Sequence, residues 1–288
     1  MYAITGVTGK VGSEVAKTLL NNHQQVRAVL RDQSKANRWS ALGCEVAIAS
    51  MEDSAALSAA FADAEGVFIL PPPDFDPEDG FPEAKRAIES IRLALDRARP
   101  QRVVCLSTIG AQSERDNLLS QRTLMEQALA SLSVPITFLR PAWFMENFAW
   151  DVASAKRDGV IASFLQPIER AIPMIATADV GRVAAELLQE SWTGNRIVEL
   201  EASTRVAPID AATVFSNVLG RPVRAEAIPR DTWEPMFRSQ GMQHPMHRIR
   251  MLDGFNEGWI RFESDDANIR KGALSLEDVL RELVRHTD

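Results

Sequence analysis

Tyr2-Ala3-Ile4-Thr5-Gly6-Val7-Thr8-Gly9-Lys10-Val11-Gly12 opens the chain, and the reading of everything after it depends on this stretch. Residues 2–5 have strand character and run directly into three glycines. Val11, Val15, Leu19 and Leu20 then recur with the spacing of one buried helix face, which predicts a helix over 11–22. A glycine pattern alone is weak evidence, but one set between a strand and a helix has a mechanism. Gly6 permits a tight exit from the strand. Gly9 withholds a side chain where a pyrophosphate must approach the backbone, and Gly12 lets the helix pack close to the sheet. Free amides at the helix start face the anion. The segment formed by Gly6, Thr8, Gly9, Lys10, Val11 and Gly12 is therefore expected to hold a dinucleotide pyrophosphate. The glycines are spaced three and three, not two and three as in the older dinucleotide fingerprint; the alternative is a glycine-rich turn with no ligand.

The second strand, over 25–30, ends at Arg31-Asp32. An acidic residue at this point serves the ribose hydroxyl of NAD, whereas an arginine nearby accommodates a 2′-phosphate. Here Arg31 takes the strand end, Lys35 follows, and Lys10 adds a third positive charge from the loop. Such a cluster favours a dianion, so the expected cofactor is NADP(H). The alternative is that Arg31 and Lys35 are solvated surface charges partly cancelled by Asp32.

Working outward, strand-like and helix-like segments alternate as far as about residue 140. Strands are predicted over 2–5, 25–30, 45–49, 66–70, 102–106 and 136–139, with helices over 11–22, 34–42, 54–62, 82–98 and 118–132. This rhythm implies a Rossmann-like, doubly wound parallel sheet. After Pro141 the pattern loosens, with helices over 143–156, 178–190, 209–219, 232–239 and 276–286 and strands over 197–200 and 223–228. The expected organisation is an α/β dinucleotide-binding domain over 1–150. A smaller mixed α/β lobe over 151–288 would lie across the sheet's carboxyl edge, without being an independent domain.

Composition excludes other classes. A length of 288 residues with 45% apolar content suffices for one sizeable core. The net charge of −7 provides no basic field for nucleic acid. No apolar run is long enough for a membrane span, and the N-terminus lacks the pattern of a signal peptide. The two cysteines, Cys44 and Cys105, lie in apolar strand-like runs and read as buried reduced thiols, consistent with a cytoplasmic protein.

Several segments together resemble the NmrA-like group of atypical short-chain dehydrogenases/reductases. They are the opening loop, Val26-Arg27-Ala28-Val29-Leu30-Arg31-Asp32 with Lys35 beyond, and Gly66-Val67-Phe68-Ile69-Leu70-Pro71-Pro72. Leu139-Arg140-Pro141-Ala142-Trp143-Phe144-Met145-Glu146-Asn147 joins them, followed by Ala178-Asp179-Val180 and Val218-Leu219-Gly220-Arg221-Pro222-Val223. The resemblance runs to about residue 230. It implies that the glycine loop holds the pyrophosphate and that Arg31 and Lys35 hold the 2′-phosphate. It also implies that Leu70 and Pro71 border the adenosine and ribose, and that Ser107 and Thr108 face the nicotinamide. Pro141 to Phe144 would lie along the nicotinamide ring, with Phe144 and Asn147 reaching the substrate cleft. Where relatives often carry Gly-Asp near the adenine, this chain has Ala49 and Ser50; Ser50 retains hydrogen-bonding capacity.

The larger departure concerns catalysis. Ordinary short-chain dehydrogenases use a Tyr-x-x-x-Lys pair for proton transfer. The single tyrosine here is Tyr2, in the first strand, and no lysine occurs between Lys85 and Lys156. Arg122 stands near the position where relatives place lysine or histidine; it either orients a bound group or pairs with Glu126 on the helix surface. Ser107 either bonds a substrate carbonyl or caps the following loop. Trp143, Phe144 and Met145 either wall a flat substrate or pack the two parts together. His244 and His247, in Gln243-His244-Pro245-Met246-His247, either are exposed or line the lobe's pocket, where a histidine proton donor is a further alternative; the proline argues against a regular helix there, and no metal site is expected. Two functions fit. One is an NADPH-dependent reductase of quinones, azo compounds or similar conjugated small molecules. The other is a non-enzymatic NADP(H) sensor that presents a surface to a protein partner. A sugar-nucleotide epimerase is a weaker third. A monomer or a homodimer is expected.

Overall fold

In the computed structural model, which describes residues 1–286, strands and helices alternate through the first half of the chain. They are β1 (Tyr2–Ile4), α1 (Lys10–Asn21), β2 (Val26–Leu30), α2 (Ala36–Ala41), β3 (Glu45–Ile48), α3 (Ser54–Phe61), β4 (Gly66–Ile69) and α4 (Pro82–Ala98). Then come β5 (Arg102–Leu106), α5 (Ser120–Leu129), β6 (Ile136–Pro141), β7 (Trp143–Phe144), a 3-10 turn (Met145–Trp150), α6 (Val152–Asp158), β8 (Val160–Ser163), β9 (Met174–Ile175) and α7 (Thr177–Gln189). The remainder is β10 (Asn195–Glu201), α8 (Pro208–Leu219), β11 (Arg224–Ala227), α9 (Trp233–Ser239), α10 (Pro245–Glu257), β12 (Arg270–Lys271) and α11 (Leu276–Arg285).

Eight strands form one sheet in the order β12-β10-β6-β5-β4-β1-β2-β3, parallel throughout. Side chains alternate between its faces with the period of two that a pleated strand imposes. Ala3, Val67, Ile69, Val103 and Cys105 point to one side, where Leu57, Phe61, Ile91, Leu95, Met125 and Leu129 from α3, α4 and α5 cover them. Ile4, Phe68, Val104 and Leu106 point to the other side, against Val11, Val15 and Leu19 of α1 and Val180, Val183, Leu187 and Leu188 of α7. Full burial of a side chain such as Ile91 or Leu95 contributes roughly 1.5–3 kcal/mol. The sheet is thus covered on both faces, as a parallel sheet requires, and the fold is the expected doubly wound α/β arrangement. Two glycines allow the tightest joints. A Cβ at Gly12 would lie 2.3 Å from the Gly6 carbonyl oxygen, and one at Gly181 would lie 2.5 Å from Cβ of Glu14, where α7 crosses α1.

Strand order reverses between β1 and β4, which opens a crevice at their carboxyl ends. Thr5 ties the two strands there: its Oγ1 donates to the Phe68 carbonyl at 2.9 Å and accepts from the Leu70 amide at 2.8 Å.

The second half differs from the sequence expectation in three places. Residues 143–156 do not form one helix. Trp143 and Phe144 pair in parallel with Met174 and Ile175, the 3-10 turn follows, and α6 is short. The Glu146 carboxylate accepts from the Thr177 amide at 2.9 and 3.0 Å, so the turn is held to the start of α7 by a contact that local periodicity does not report. Pro245 begins α10 at its first turn, where a missing amide costs nothing, and does not interrupt a helix. Finally, β10, β12 and α7, all from beyond residue 150, complete the main sheet and its cover, while β8 pairs with β11 in a separate two-stranded ribbon. Among the described residues, no helix is long and apolar enough to cross a membrane. Both cysteines are free and buried.

Candidate functional site

A cleft of ≈ 920 Å³ runs along the carboxyl ends of the central strands, with the lobe as its opposite wall. Gly6, Thr8, Gly9, Lys10 and Val11 line it after β1, Arg31 and Lys35 after β2, and Ser50 after β3. Leu70 and Pro71 line it after β4, Ser107 and Thr108 after β5 and Pro141 at the end of β6. Trp143, Phe144 and Asn147 continue the wall. Gly12 lies behind the loop, packed on Gly6, in the joint between helix and strand.

At the loop end, Gly6 has φ +67°, a left-handed conformation suited to glycine, and the Gly9 amide donates to its carbonyl at 2.9 Å. Gly9 stands at the N-cap of α1 and offers no side-chain bond to the first amides of the helix, which leaves them for an anion. Asp32 turns back onto its own backbone and makes no direct ion pair with its basic neighbours. Its carboxylate accepts from the Ser34 amide at 2.9 Å, and the bonds from Ser34 hold its carboxyl below the usual range. Among the described residues, no carboxylate lies within ion-pairing distance of Lys10, Arg31 or Lys35. The loop and the three cations fit a dinucleotide carrying a 2′-phosphate.

In the middle of the cleft, the Ser107 hydroxyl donates to the Glu126 carboxylate, so its one proton is committed inside the wall, neither to a loop cap nor to the cleft. Glu126 is buried and also accepts from Arg140, Nε–Oε1 at 2.9 Å and Nη2–Oε2 at 2.7 Å. The remaining donors of Arg140 reach Glu263 at 2.8 Å, and Glu199 lies at 3.9 Å. The surface pair of Arg122 with Glu126 does not form. Arg122 turns to the cleft, its Nη2 donates to the Pro71 carbonyl at 3.2 Å, and burial pulls its pKa below the ordinary arginine range.

The lobe end is aromatic. Trp143 lines the cleft and meets Phe255 edge to face at a centroid distance of 5.0 Å, whereas Met145 is buried in the core. Phe148 and Phe164 extend the wall, and Phe75 and Trp150, 57% and 70% exposed, provide apolar surface open to solvent. His244 and His247 do not line the cleft. The His244 amide donates to Asp76 at 2.6 Å, and the His247 Nε2 lies 3.0 Å from Asp79, with its ring against Phe81. They fasten α10 to the segment ahead of α4.

The sequence model of the NmrA-like family matches residues 2–258. The chain belongs to the NmrA-like family. This NmrA-like protein is 25% identical over 260 residues to an NAD(P)H azoreductase of Xenophilus azovorans, a match covering 89% of this chain and 85% of the relative. Its fold is similar to that of an NADPH-dependent quinone oxidoreductase from Escherichia coli complexed with NADPH, with TM-score 0.81, 21% identity, and 98% and 99% of the two chains covered. It is also similar to the triphenylmethane reductase of a Citrobacter species complexed with NADP(H), with TM-score 0.81, 20% identity, and 100% and 99% covered.

Two cleft residues of the NmrA-like chain, and one buried behind its wall, escaped the sequence reading. Glu126 was legible only as a surface residue; the signal for its burial is Arg140, a charge inside the apolar run Ile136-Thr137-Phe138-Leu139, which requires a buried carboxylate. Asp151 lines the cleft, and burial pushes its carboxyl up to about 7. Arg248 lines it from α10. Neither belongs to a motif, and only the lobe's folding brings them to the wall.

Proposed function

We propose that this NmrA-like protein is an NADPH-dependent oxidoreductase that reduces small conjugated acceptors, quinones and azo compounds among them. The observation that carries this reading is one unbroken cleft joining a glycine-lined, cationic end to an aromatic end. The azoreductase relative and the folds of the quinone and dye reductases support it. In this reading residues 1–150 carry the cofactor and the lobe closes over the acceptor.

Gly6 to Val11 would hold the pyrophosphate, and Arg31 and Lys35 the 2′-phosphate. When bound, NADPH supplies the hydride. Trp143, Phe144 and Phe148 would press a flat acceptor against the cofactor's side of the cleft and exclude water, which contributes by orientation. Ser107 offers the acceptor no hydrogen-bond donor, because its hydroxyl is bonded to Glu126. A quinone or azo acceptor suits such a site. Hydride addition places the negative charge on an oxygen or nitrogen stabilised by conjugation, and solvent provides the balancing proton.

The test is to follow the nicotinamide absorbance while NADPH is mixed with the protein and a set of quinones and azo dyes. Turnover above the uncatalysed rate supports the reductase. The absence of a Tyr–Lys pair and the spent Ser107 proton favour a second reading, an NADP(H) sensor acting on a protein partner. Tight NADPH binding with no turnover on any acceptor selects it.

A further inference from the structure

Arginines near the lobe end of the cleft are of two kinds. Arg250 pairs with Asp116 at 3.2 Å, and Arg230 with Asp253 at 2.6 Å. Arg248 has no carboxylate at ion-pairing distance among the described residues. Its guanidinium lies over the Phe237 ring at 4.5 Å and over the Trp150 ring at 5.8 Å. Its one polar contact among the described residues is the Met242 sulfur at 3.9 Å, a weak acceptor. A guanidinium stacked on rings uses its π face, whereas its five N–H donors lie in its plane. The remaining donors have no protein partner among the described residues, and partial burial pulls the pKa of Arg248 down. Retaining a charge there makes physical sense where an anion arrives to meet it.

Among the described residues, no other charged group lining the cleft pairs with Arg248. Arg122 adds a second cation, bonded only to the Pro71 carbonyl. The carboxylate of Asp74 accepts from the Asp76 amide, and Glu83 faces Arg86 at 3.8 Å. Asp151 keeps its proton well above the usual carboxylate range because it is buried.

We propose that Arg248 binds an oxyanion carried by the acceptor, so that this cleft selects flat aromatic acceptors bearing a sulfonate, carboxylate or phosphate over their neutral counterparts. This inference rests on the reductase reading. It assigns Arg248 a direct contact with the acceptor: its planar fork binds two oxygens at once, while Trp150 and Phe237 hold it in place.

The test compares 1,2-naphthoquinone with 1,2-naphthoquinone-4-sulfonate, with NADPH as donor, for the wild type, Arg248→Met and Arg248→Lys. Arg248→Met is expected to raise KM for the sulfonate by about tenfold or more. KM for the neutral quinone, kcat for both and the melting temperature should stay near wild type, and Arg248→Lys should recover part of the loss. Equal effects on both quinones, or none on either, would overturn the proposal. Calorimetric titration of the NADPH complex with naphthalene-2-sulfonate, which accepts no hydride, separates this inference from the reading beneath it. Binding that Arg248→Met abolishes, with no turnover on any quinone, removes the reductase and keeps the anion site. Binding unchanged in Arg248→Met removes the anion site whatever the turnover.

Discussion

Arg140 grips Glu126 through two parallel bonds, 2.9 and 2.7 Å long, in the wall directly behind Ser107. Both partners are buried, so the pair is costly to split. Glu126→Ala is expected to lower stability by about 3 kcal/mol, since Arg140 keeps its contacts with Glu263, Glu199 and Gln112 but loses its buried bidentate partner. The double change Glu126→Leu with Arg140→Met should cost clearly less than the sum of the two single changes. Urea unfolding of all four proteins measures this; additive losses would mean that the pair does not act as a unit.

Gly12 and Gly9 separate folding from binding. A Cβ at residue 12 meets the Gly6 backbone at 2.3 Å, which no side-chain movement relieves. Gly12→Ala should therefore destabilise the protein by about 2–3 kcal/mol or prevent folding. A Cβ at residue 9 comes no closer than 3.4 Å to the Gly6 oxygen. Gly9→Ala should keep a near-native melting temperature and lose NADPH affinity, read by fluorescence titration.

Arg31 and Lys35 face the cleft without carboxylate partners. Replacing both with alanine should weaken NADPH binding by about two orders of magnitude, as loss of two charge-assisted contacts implies. NADH binding should change little. Equal losses for the two cofactors would place the 2′-phosphate elsewhere.

Asp151 sets a pH dependence. Its folded carboxyl is pushed up to about 7 by burial, while the unfolded chain ionises near the ordinary 3.9. The folded state therefore holds this proton more tightly. The resulting stabilisation is complete below about pH 4 and is lost as pH rises through about 7. Asp151→Asn should be more stable than wild type at pH 8, by roughly 1–2 kcal/mol once partial solvent access is allowed for, with no such gain at pH 4. Thermal melts at the two pH values test the sign.

The amino-acid order made the sheet legible because its cues are local. Gly6, Gly9 and Gly12 mark the loop, and Pro82 to Ala98 delimit α4 with the bounds seen in the fold. The lobe was legible only in fragments. Trp143 and Phe144 look helical until Met174 and Ile175 are beside them, and Pro245 reads as a breaker although it starts α10. The same limit applies in the cleft. Arg31 and Lys35 follow a strand end and are found by counting, whereas Asp151 and Arg248 become neighbours of one cavity only through contacts distant in sequence.

At one margin of the sheet, β12 offers just two residues, and both are cationic. Arg270 is held by Glu186 at 2.7 Å, and Lys271 by Glu201 at 2.5 Å, so their charges stay fixed along the rim. A strand so short and so charged is a poor template for an incoming strand from another molecule. On that side the sheet resists growth, because a single pair of ion-paired residues disfavours the addition of a strand from another molecule.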